Sequence, residues 1–313
     1  MPGGGSSIFT DPGGYEAGLG GMLDLLVLRP RQFHARLTWV ELPHLRLLRA
    51  QEAAARIAYV RLPPEQVFVT FLTQPDASLV CGGETLRFGD LMFHARGEYL
   101  HQRTTGATHW GAISLSPDSL AGFARALADR DLVPPDVGWV MRPQPADCRR
   151  LLRLHAEAIR IAERDLRQIA HREVARALDQ DLMLALISGL TRGAVPRDGE
   201  PDRGPGAISA ALEALLAVHR DRTLRMREIG DAVGMSEAAL RSDCAKLLGI
   251  SLQRYQRLRR LALAHAELMR THRAANADLL VQRYGFSDIH RFVTDYWRAF
   301  GEMPSIDARN RVT

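Results

Sequence analysis

Four residues between positions 94 and 109 carry side chains that metal chemistry uses. His94, His101 and His109 supply imidazole nitrogens, and Glu98 supplies a carboxylate. Histidines combined with a carboxylate can bind iron or another divalent metal. No two histidines of the chain are separated by a single residue, although metal-dependent β-barrel enzymes typically use that spacing. We therefore predict no metal site, and we expect these polar groups to line a ligand pocket or to face solvent.

Other patterns that would support catalysis are missing from the sequence. The cysteines Cys81, Cys148 and Cys244 lie far apart and form no CxxC pair, which argues against a zinc site or a disulfide framework. The early GGG and PGG glycines have no strand before them and no helix after them, so a phosphate-binding loop is not indicated. We expect no enzymatic activity, no cofactor and a reducing, cytoplasmic environment, with Cys244 in the core.

One motif occurs twice near the C-terminal end of the sequence. IGDAVGMS ends at Ser236 and LVQRYGFS ends at Ser287, and each is followed by apolar or aromatic residues at four-residue spacing. Gly234 and Gly285 suit the left-handed turn that ends a helix, and the two serines can cap the helix that follows. Each segment therefore predicts a helix-turn-helix unit.

The two motifs are joined by SLQRYQRLRRLALAHAELMR, which begins at Ser251. Strong helix formers and an apolar stripe predict one long helix, and Ser251 is a further candidate cap and phosphate contact. A stiff helix of this kind can hold two recognition helices about 34 Å apart, which is one turn of DNA. We therefore expect both units to face the same side of a duplex.

Residues from about 224 to 309 resemble the DNA-binding domain of the AraC/XylS family of transcription regulators. The resemblance rests on both units, on RLRRLALA in the connecting helix, and on the closing YGFSDIHRFVTDYWRAFGEMPS. It implies a sequence-specific transcription regulator, with activation as the commoner mode in the family. Its implied partners are promoter DNA, RNA polymerase, a small-molecule effector of unknown identity and a second copy of the chain.

The DNA-contacting side chains are expected at the start of each second helix, where exposed residues reach base edges in the major groove. Burial of the apolar positions and similarity to the family together indicate eight contact residues. They are Glu237, Ala238, Arg241 and Ser242 in the first unit, and His290, Arg291, Thr294 and Arg298 in the second. Arg241 and Arg291 could each make a bidentate contact to guanine, with about 1–3 kcal/mol of discrimination.

The N-terminal part has a different texture, with short β-branched and aromatic runs broken by glycine and proline. Examples are VFVTFL at 67–72 and the run from 109 to 115, which predict a small barrel or sandwich followed by two helices between about 147 and 190. The family resemblance implies a cupin-like sensor whose helices contribute to a dimer interface. An alternative is a metal-dependent cupin enzyme with an appended DNA-binding domain, and a third is a module whose helix-turn-helix units bind protein.

The complete prediction is an α+β chain. We assign residues 1–30 to a flexible tail, 31–190 to a cupin-like sensor and dimerisation domain, 191–206 to a linker, and 207–313 to the DNA-binding domain. Residues 207–313 carry 17 Arg and Lys against 12 Asp and Glu, an excess of the same size as the whole chain's net charge of +5. A basic segment suits a polyanionic partner. No apolar run is long enough for a membrane helix, and none follows a basic start as a targeting signal would.

Overall fold

The computed structural model describes residues 2–28, 32–193, 205–271, 275–304 and 306–307. Strands dominate these residues up to position 141, and helices dominate from position 145 onwards. This is the α+β organisation that the sequence predicts, with a β-rich N-terminal part and an all-helical C-terminal part apart from one two-residue strand pair.

The strands of the N-terminal part build two antiparallel sheets. They are β1 (Gly3–Phe9), β2 (Leu23–Val27), β3 (Ala35–Glu41), β4 (Leu45–Glu52), β5 (Arg56–Arg61), β6 (Val67–Leu72), β7 (Leu79–Cys81), β8 (Glu84–Leu86), β9 (Leu91–Phe93), β10 (Tyr99–Arg103), β11 (Thr108–Leu115) and β12 (Trp139–Met141). One sheet has the order β1-β3-β4-β11-β6-β9-β12, and the other has the order β2-β5-β10-β7-β8. Of the barrel or sandwich that the sequence predicts, the structure forms a sandwich of two separate sheets.

The helices follow the strands, except for two that are inserted among them. They are α1 (Pro12–Gly18), α2 (Pro117–Ala128), α3 (Pro145–Arg164), α4 (Leu166–Ala170), α5 (Arg172–Arg192), α6 (Pro205–Val218), α7 (Met226–Val233), α8 (Glu237–Leu248), α9 (Leu252–Thr271), α10 (Ala277–Arg283) and α11 (Ile289–Phe300). Two residues, β13 (Ala275–Asn276), pair in parallel with β14 (Ile306–Asp307). The sequence predicts two helices between about 147 and 190, and the structure contains three. The additional helix is the short α4, which lies between α3 and α5.

The N-terminal part has three layers and two apolar cores. One core lies between the two sheets and includes Leu37, Ala58, Leu100 and Trp110. The other lies between the seven-stranded sheet and the helices α2, α3 and α5. Every residue of β6 is buried, because one face of this central strand contacts the core between the sheets and the other face contacts the core under the helices. The continuous apolar run of β6 follows from this position, since a strand covered on both sides needs apolar residues at every position.

The structure contradicts the expectation of a flexible tail at residues 1–30 over its described part, residues 2–28. β1 pairs with β3 along its whole length, and the side chains of Tyr15 and Leu19 on and after α1 are 0% and 3% exposed. Glycine-rich composition hides this order, because the strand is held by backbone hydrogen bonds to a sheet edge that the local sequence does not reveal. Anchoring of Tyr15 inside the sandwich then fixes the helix.

The linker predicted at 191–206 lies largely outside the described residues, since α5 continues to Arg192 and α6 begins at Pro205. Helix α6 itself is a feature that the sequence analysis did not single out. It packs against β10 of the sandwich and against α7 and α8. Among the described residues, no helix is both long and apolar enough to cross a membrane.

Candidate DNA-binding interface

The first helix-turn-helix unit consists of α7, a tight turn and α8. Gly234 ends α7 with a φ of 70°, a left-handed conformation that glycine adopts without strain. The N–H of Met235 donates to the carbonyl of Gly230 at 2.8 Å, and a Cβ on Gly230 would lie only 2.7 Å from the Met235 carbonyl oxygen. The turn therefore requires glycine at both positions.

The start of α8 presents polar residues to solvent while its other face is buried. The Ser236 hydroxyl accepts the N–H of Ala239 at 3.2 Å, so this serine caps the helix. Leu240 and Cys244 are 0% and 2% exposed, and they join a core with α6, α7 and α9. The four sequence-predicted contact residues of this unit are exposed, namely Glu237, Ala238, Arg241 and Ser242.

Cys244 lies in the core of this unit, as the sequence suggested. Burial raises the pKa of its thiol to about 11, and burial likewise raises the pKa of Cys81 in the sandwich to about 12. Both thiols are therefore protonated at neutral pH, and the thiol is much less nucleophilic than the thiolate.

The second unit repeats this plan with α10 and α11. Gly285 has a φ of 65°, and a side chain there would collide with the backbone of Asp221. Phe292 and Tyr296 are 0% exposed, and Phe286 packs edge-on against Phe292 with ring centroids 5.0 Å apart. The predicted contact residues His290, Arg291, Thr294 and Arg298 are all exposed on the outer face.

The cap of α11 differs from the one that the sequence suggested. Asp288, and not Ser287, occupies the N-cap position, and its carboxylate accepts the N–H groups of His290 and Arg291 at 3.0 and 3.3 Å. Aspartate is as good a cap as serine, and its charge interacts favourably with the helix dipole. The motif comparison missed it because the serines of the two units align while their helices begin one residue apart.

The long helix α9 connects the two units as a strut. Leu258 packs against the cores of both units, and Ser251 caps the start of the helix by accepting the N–H of Arg254 at 3.3 Å. Arg260 is 8% exposed and donates to the carbonyls of Tyr284 and Gly285 at 3.1 and 2.8 Å. This arginine ties the strut to the turn of the second unit, a role that its sequence position in RLRR did not disclose.

Arg260 reaches further, to the segment that precedes the first unit. Its second terminal nitrogen donates to the Thr223 hydroxyl at 2.7 Å, and its guanidinium stacks 5.1 Å from the centre of the Phe286 ring. Burial and the neighbouring Arg257 lower the pKa of Arg260 from its ordinary value. The side chain is held by neutral groups, so it serves to fix the two units relative to one another.

A polar junction joins the first unit to the sandwich. His101 on β10 is fully buried, with Nδ1 3.0 Å from the Ser209 hydroxyl and Nε2 3.2 Å from Glu213 of α6. The same carboxylate accepts the Tyr255 hydroxyl at 2.6 Å and pairs with Arg259 at 3.0 Å. We call these five residues the His101 junction.

Two further contacts extend the junction. Arg103 at the end of β10 donates to the Lys246 carbonyl of α8 at 3.1 Å, and Leu26 and Ile57 of the sandwich belong to the apolar core of the first unit. The pKa of Glu213 lies below its usual range, because its hydrogen bonds and Arg259 outweigh the effect of burial. The carboxylate is therefore ionised at neutral pH and fully hydrogen-bonded.

The residues considered for metal binding are distributed between different surroundings. His94 Nδ1 lies 2.9 Å from Glu98, and its Nε2 lies 3.0 Å from the Thr70 hydroxyl. His101 belongs to the junction described above, and His109 lies on β11 of the other sheet. Within the described residues, no three His, Cys, Asp or Glu side chains are grouped so that they could hold a metal ion.

Comparison with known proteins agrees with this geometry. Residues 229–310 match the family model described as a helix-turn-helix domain. A probable thc operon regulatory protein of Rhodococcus erythropolis is 28% identical over 141 residues, which cover 44% of this chain and 42% of that protein. The aligned part is thus less than half the length of this curated relative.

Two solved structures are similar to this chain at low sequence identity. The AraC-like transcriptional activator CuxR is 15% identical, with a TM-score of 0.44 over 84% of this chain and 95% of CuxR. ToxT from Vibrio cholerae is 11% identical, with a TM-score of 0.30 over 84% of this chain and 97% of ToxT.

The two units on one strut, together with the family match, define the C-terminal region as a double helix-turn-helix domain. A helix-turn-helix domain over residues 229–310 agrees with the resemblance to the AraC/XylS DNA-binding domain seen in the sequence.

Proposed function

We propose that this protein is a sequence-specific DNA-binding transcription regulator. The observation that carries the proposal is the pair of recognition helices, α8 and α11, each with its first turns exposed and each held by its own core on the strut α9. Arg241 in the first unit is the strongest candidate for reading a base, because a guanidinium can donate two hydrogen bonds to guanine.

The proposal is tested by selecting bound fragments from a random pool of duplex DNA at physiological salt. The selected sites give the number of half-sites and the spacing between them. The length of the strut predicts a spacing of about one helical turn. A purified protein that shows no preference among DNA sequences, with or without cell extract as a source of effector, would contradict the proposal.

Replacing Arg241 with alanine should weaken binding to the selected site by about 5- to 150-fold, which corresponds to the 1–3 kcal/mol of a bidentate contact. The preference at one base pair should relax, while binding to a duplex of scrambled sequence changes little. Arg130→Ala is the matched control, because it removes one exposed arginine that lies just after α2. Equal losses on both duplexes would show that Arg241 does not read a base.

We further propose that a signal received by the N-terminal sandwich controls DNA binding. Paired protomers then present their recognition helices to a promoter and recruit RNA polymerase, with activation as the more common outcome. The His101 junction supports this control. It gives the sandwich a direct, buried connection to both α6 and the strut, so a change in β10 reaches the first unit without passing through the linker.

Replacing Glu213 with glutamine should loosen this connection. Hydrogen bonds to a charged group contribute about 1.5–3 kcal/mol, so local opening should make the backbone amides of α6 and β10 exchange with solvent at least about tenfold faster. Hydrogen–deuterium exchange followed by mass spectrometry measures this, with the exposed Glu157→Gln on α3 as the control. Faster exchange in α6 alone, with β10 unchanged, would show that the junction does not couple the two parts.

A further inference from the structure

A groove of about 550 Å³ runs between the first half of α9 and the first half of α11. Arg254, Arg257 and Arg260 line it from the strut, and Arg291 lines it from the second recognition helix. The groove also contains two carboxylates, those of Asp288 and Asp295.

The carboxylates of the groove are already engaged. Asp295 forms an ion pair with Arg257, and Asp288 accepts two backbone N–H groups as the cap of α11. Arg254 and Arg291 are exposed on opposite walls, and neither forms an ion pair with any described residue. The groove therefore holds two guanidinium groups that form no ion pair within the described part of the chain.

Both arginines also lie near the start of a helix. Arg254 is in the first turn of α9 and Arg291 is in the first turn of α11, where the partial positive charge of the helix dipole favours anions and disfavours cations. Nε of the buried Arg260, which lines the same groove, also has no hydrogen-bond partner among the described residues. Unpaired guanidinium donors around one groove fit an anion, and a phosphate above all.

We propose that this groove binds the phosphate backbone of DNA, with Arg254 and Arg291 as the two contact residues. The proposal rests on the proposed function. DNA backbone is the expected occupant because the groove lies directly beside the start of α11, which the duplex must approach when that helix enters a major groove. Arg291 is then a phosphate contact and not a base contact, and His290 and Thr294 remain to face the bases in the second unit.

The two kinds of contact leave different signatures in binding experiments. Loss of a phosphate contact weakens binding to every sequence equally and lowers the slope of log affinity against log salt by about 0.9. Loss of a base contact instead removes preference at one base pair and leaves the salt slope almost unchanged. The salt dependence of affinity therefore separates the two roles of Arg291.

The experiment measures the affinity of full-length Arg254→Ala, Arg291→Ala and the double variant for the selected site and for a scrambled duplex, between about 50 and 200 mM salt. We expect each single change to lower the slope by about 0.9 and the double change by about 1.8, on both duplexes. Base preference in a repeated selection should stay the same. Arg130→Ala should alter neither the salt slope nor the base preference, and Arg241→Ala should alter the base preference alone.

Three results would overturn the proposal. One is a loss of base preference in Arg291→Ala without a change in slope, and another is unchanged DNA binding in both single variants while the wild type still selects its site. The third is saturable binding of inorganic phosphate to the free protein that is lost in the variants while their DNA affinity stays intact, since the groove would then take a small free anion.

A wild type that selects no site refutes the proposed function itself. Circular dichroism verifies that each variant is folded.

Discussion

Replacing Glu52 with alanine is expected to lower the free energy of unfolding by about 3–5 kcal/mol, because it leaves a buried guanidinium without its partner. Glu52 and Arg56 lie between the two sheets with side chains 1% and 0% exposed, and the carboxylate is 2.9 Å from Arg56 Nε. The same carboxylate accepts the Tyr15 hydroxyl at 2.7 Å and the Trp110 indole N–H at 3.0 Å. Urea denaturation followed by tryptophan fluorescence measures the change.

A surface pair provides the matched control. Glu41 and Arg46 form an ion pair of the same 2.9 Å length, but their side chains are 43% and 39% exposed. Glu41→Ala should therefore cost less than about 1 kcal/mol. Replacing Glu52 and Arg56 together with methionine should recover much of the stability that the single change loses, since the uncompensated charge is then absent. Similar effects of Glu52→Ala and Glu41→Ala would contradict the buried-pair explanation.

The same cluster explains why the N-terminal residues are folded. Burial and the charge of Glu52 raise the pKa of Tyr15 well above its ordinary value, so its hydroxyl remains a hydrogen-bond donor. The ring of Tyr15 also contacts Phe9 and Phe33, at centroid distances of 5.6 and 5.7 Å. Glu52→Ala should therefore increase the rate of hydrogen exchange more in α1 than in the C-terminal domain.

Acidification is expected to destabilise the wild-type protein through His155 by up to about 3 kcal/mol. This histidine on α3 is 1% exposed and lies 3.0 Å from the Leu48 carbonyl oxygen through Nε2. Burial lowers its pKa from 6.5 to about 4, against the opposing effect of the hydrogen bond. Its contribution to stability is therefore complete above pH 6.5 and is lost as the pH falls from 6.5 to about 4.

The measurement compares the wild type with His155→Gln, because the contribution of a second group to stability changes with pH in the opposite direction. Burial raises the pKa of Glu16 from 4.5 to about 7, so its contribution to stability is complete below pH 4.5 and is lost as the pH rises through 7. Glu16 is present in both proteins, and its effect cancels in the difference. Glutamine keeps a donor for the Leu48 carbonyl but does not ionise.

Between pH 7 and pH 4.5, the wild type should lose about 2–3 kcal/mol more unfolding free energy than His155→Gln. Denaturant titrations at several pH values give the two curves, and circular dichroism at pH 7 verifies that the variant is folded. Parallel curves for the two proteins would show that His155 does not become charged on unfolding, and so would contradict its burial as a neutral imidazole.

Local features of the sequence predicted the helix-turn-helix units well. The glycines at 234 and 285, the four-residue spacing of buried positions and the runs of helix formers act within one or two turns of chain, so their consequences can be derived without the rest of the protein. The strand VFVTFL was predicted with its observed bounds for a similar reason. All eight predicted DNA-contacting residues are exposed, and their contacts with DNA remain a prediction.

Long-range contacts decided the features that the sequence analysis missed. Gly3–Phe9 is a strand because a distant strand offers it an edge, and Arg260 is a tether because the turn carbonyls of the second unit come within its reach. The buried Glu52–Arg56 pair joins residues only four positions apart, but its burial depends on Tyr15 and Trp110 from elsewhere in the chain.

The sequence by itself determined that two recognition helices exist, where they begin to within a residue, and which faces they leave in water. Those properties depend on turn geometry and on the period of the helix, which are local. Only the tertiary structure decided that His101 meets Glu213, or that Arg254 and Arg291 face one groove. The physical reason is that hydrogen bonds and charges act over a few ångströms in space, whatever the separation along the chain, and only the folded chain sets those distances.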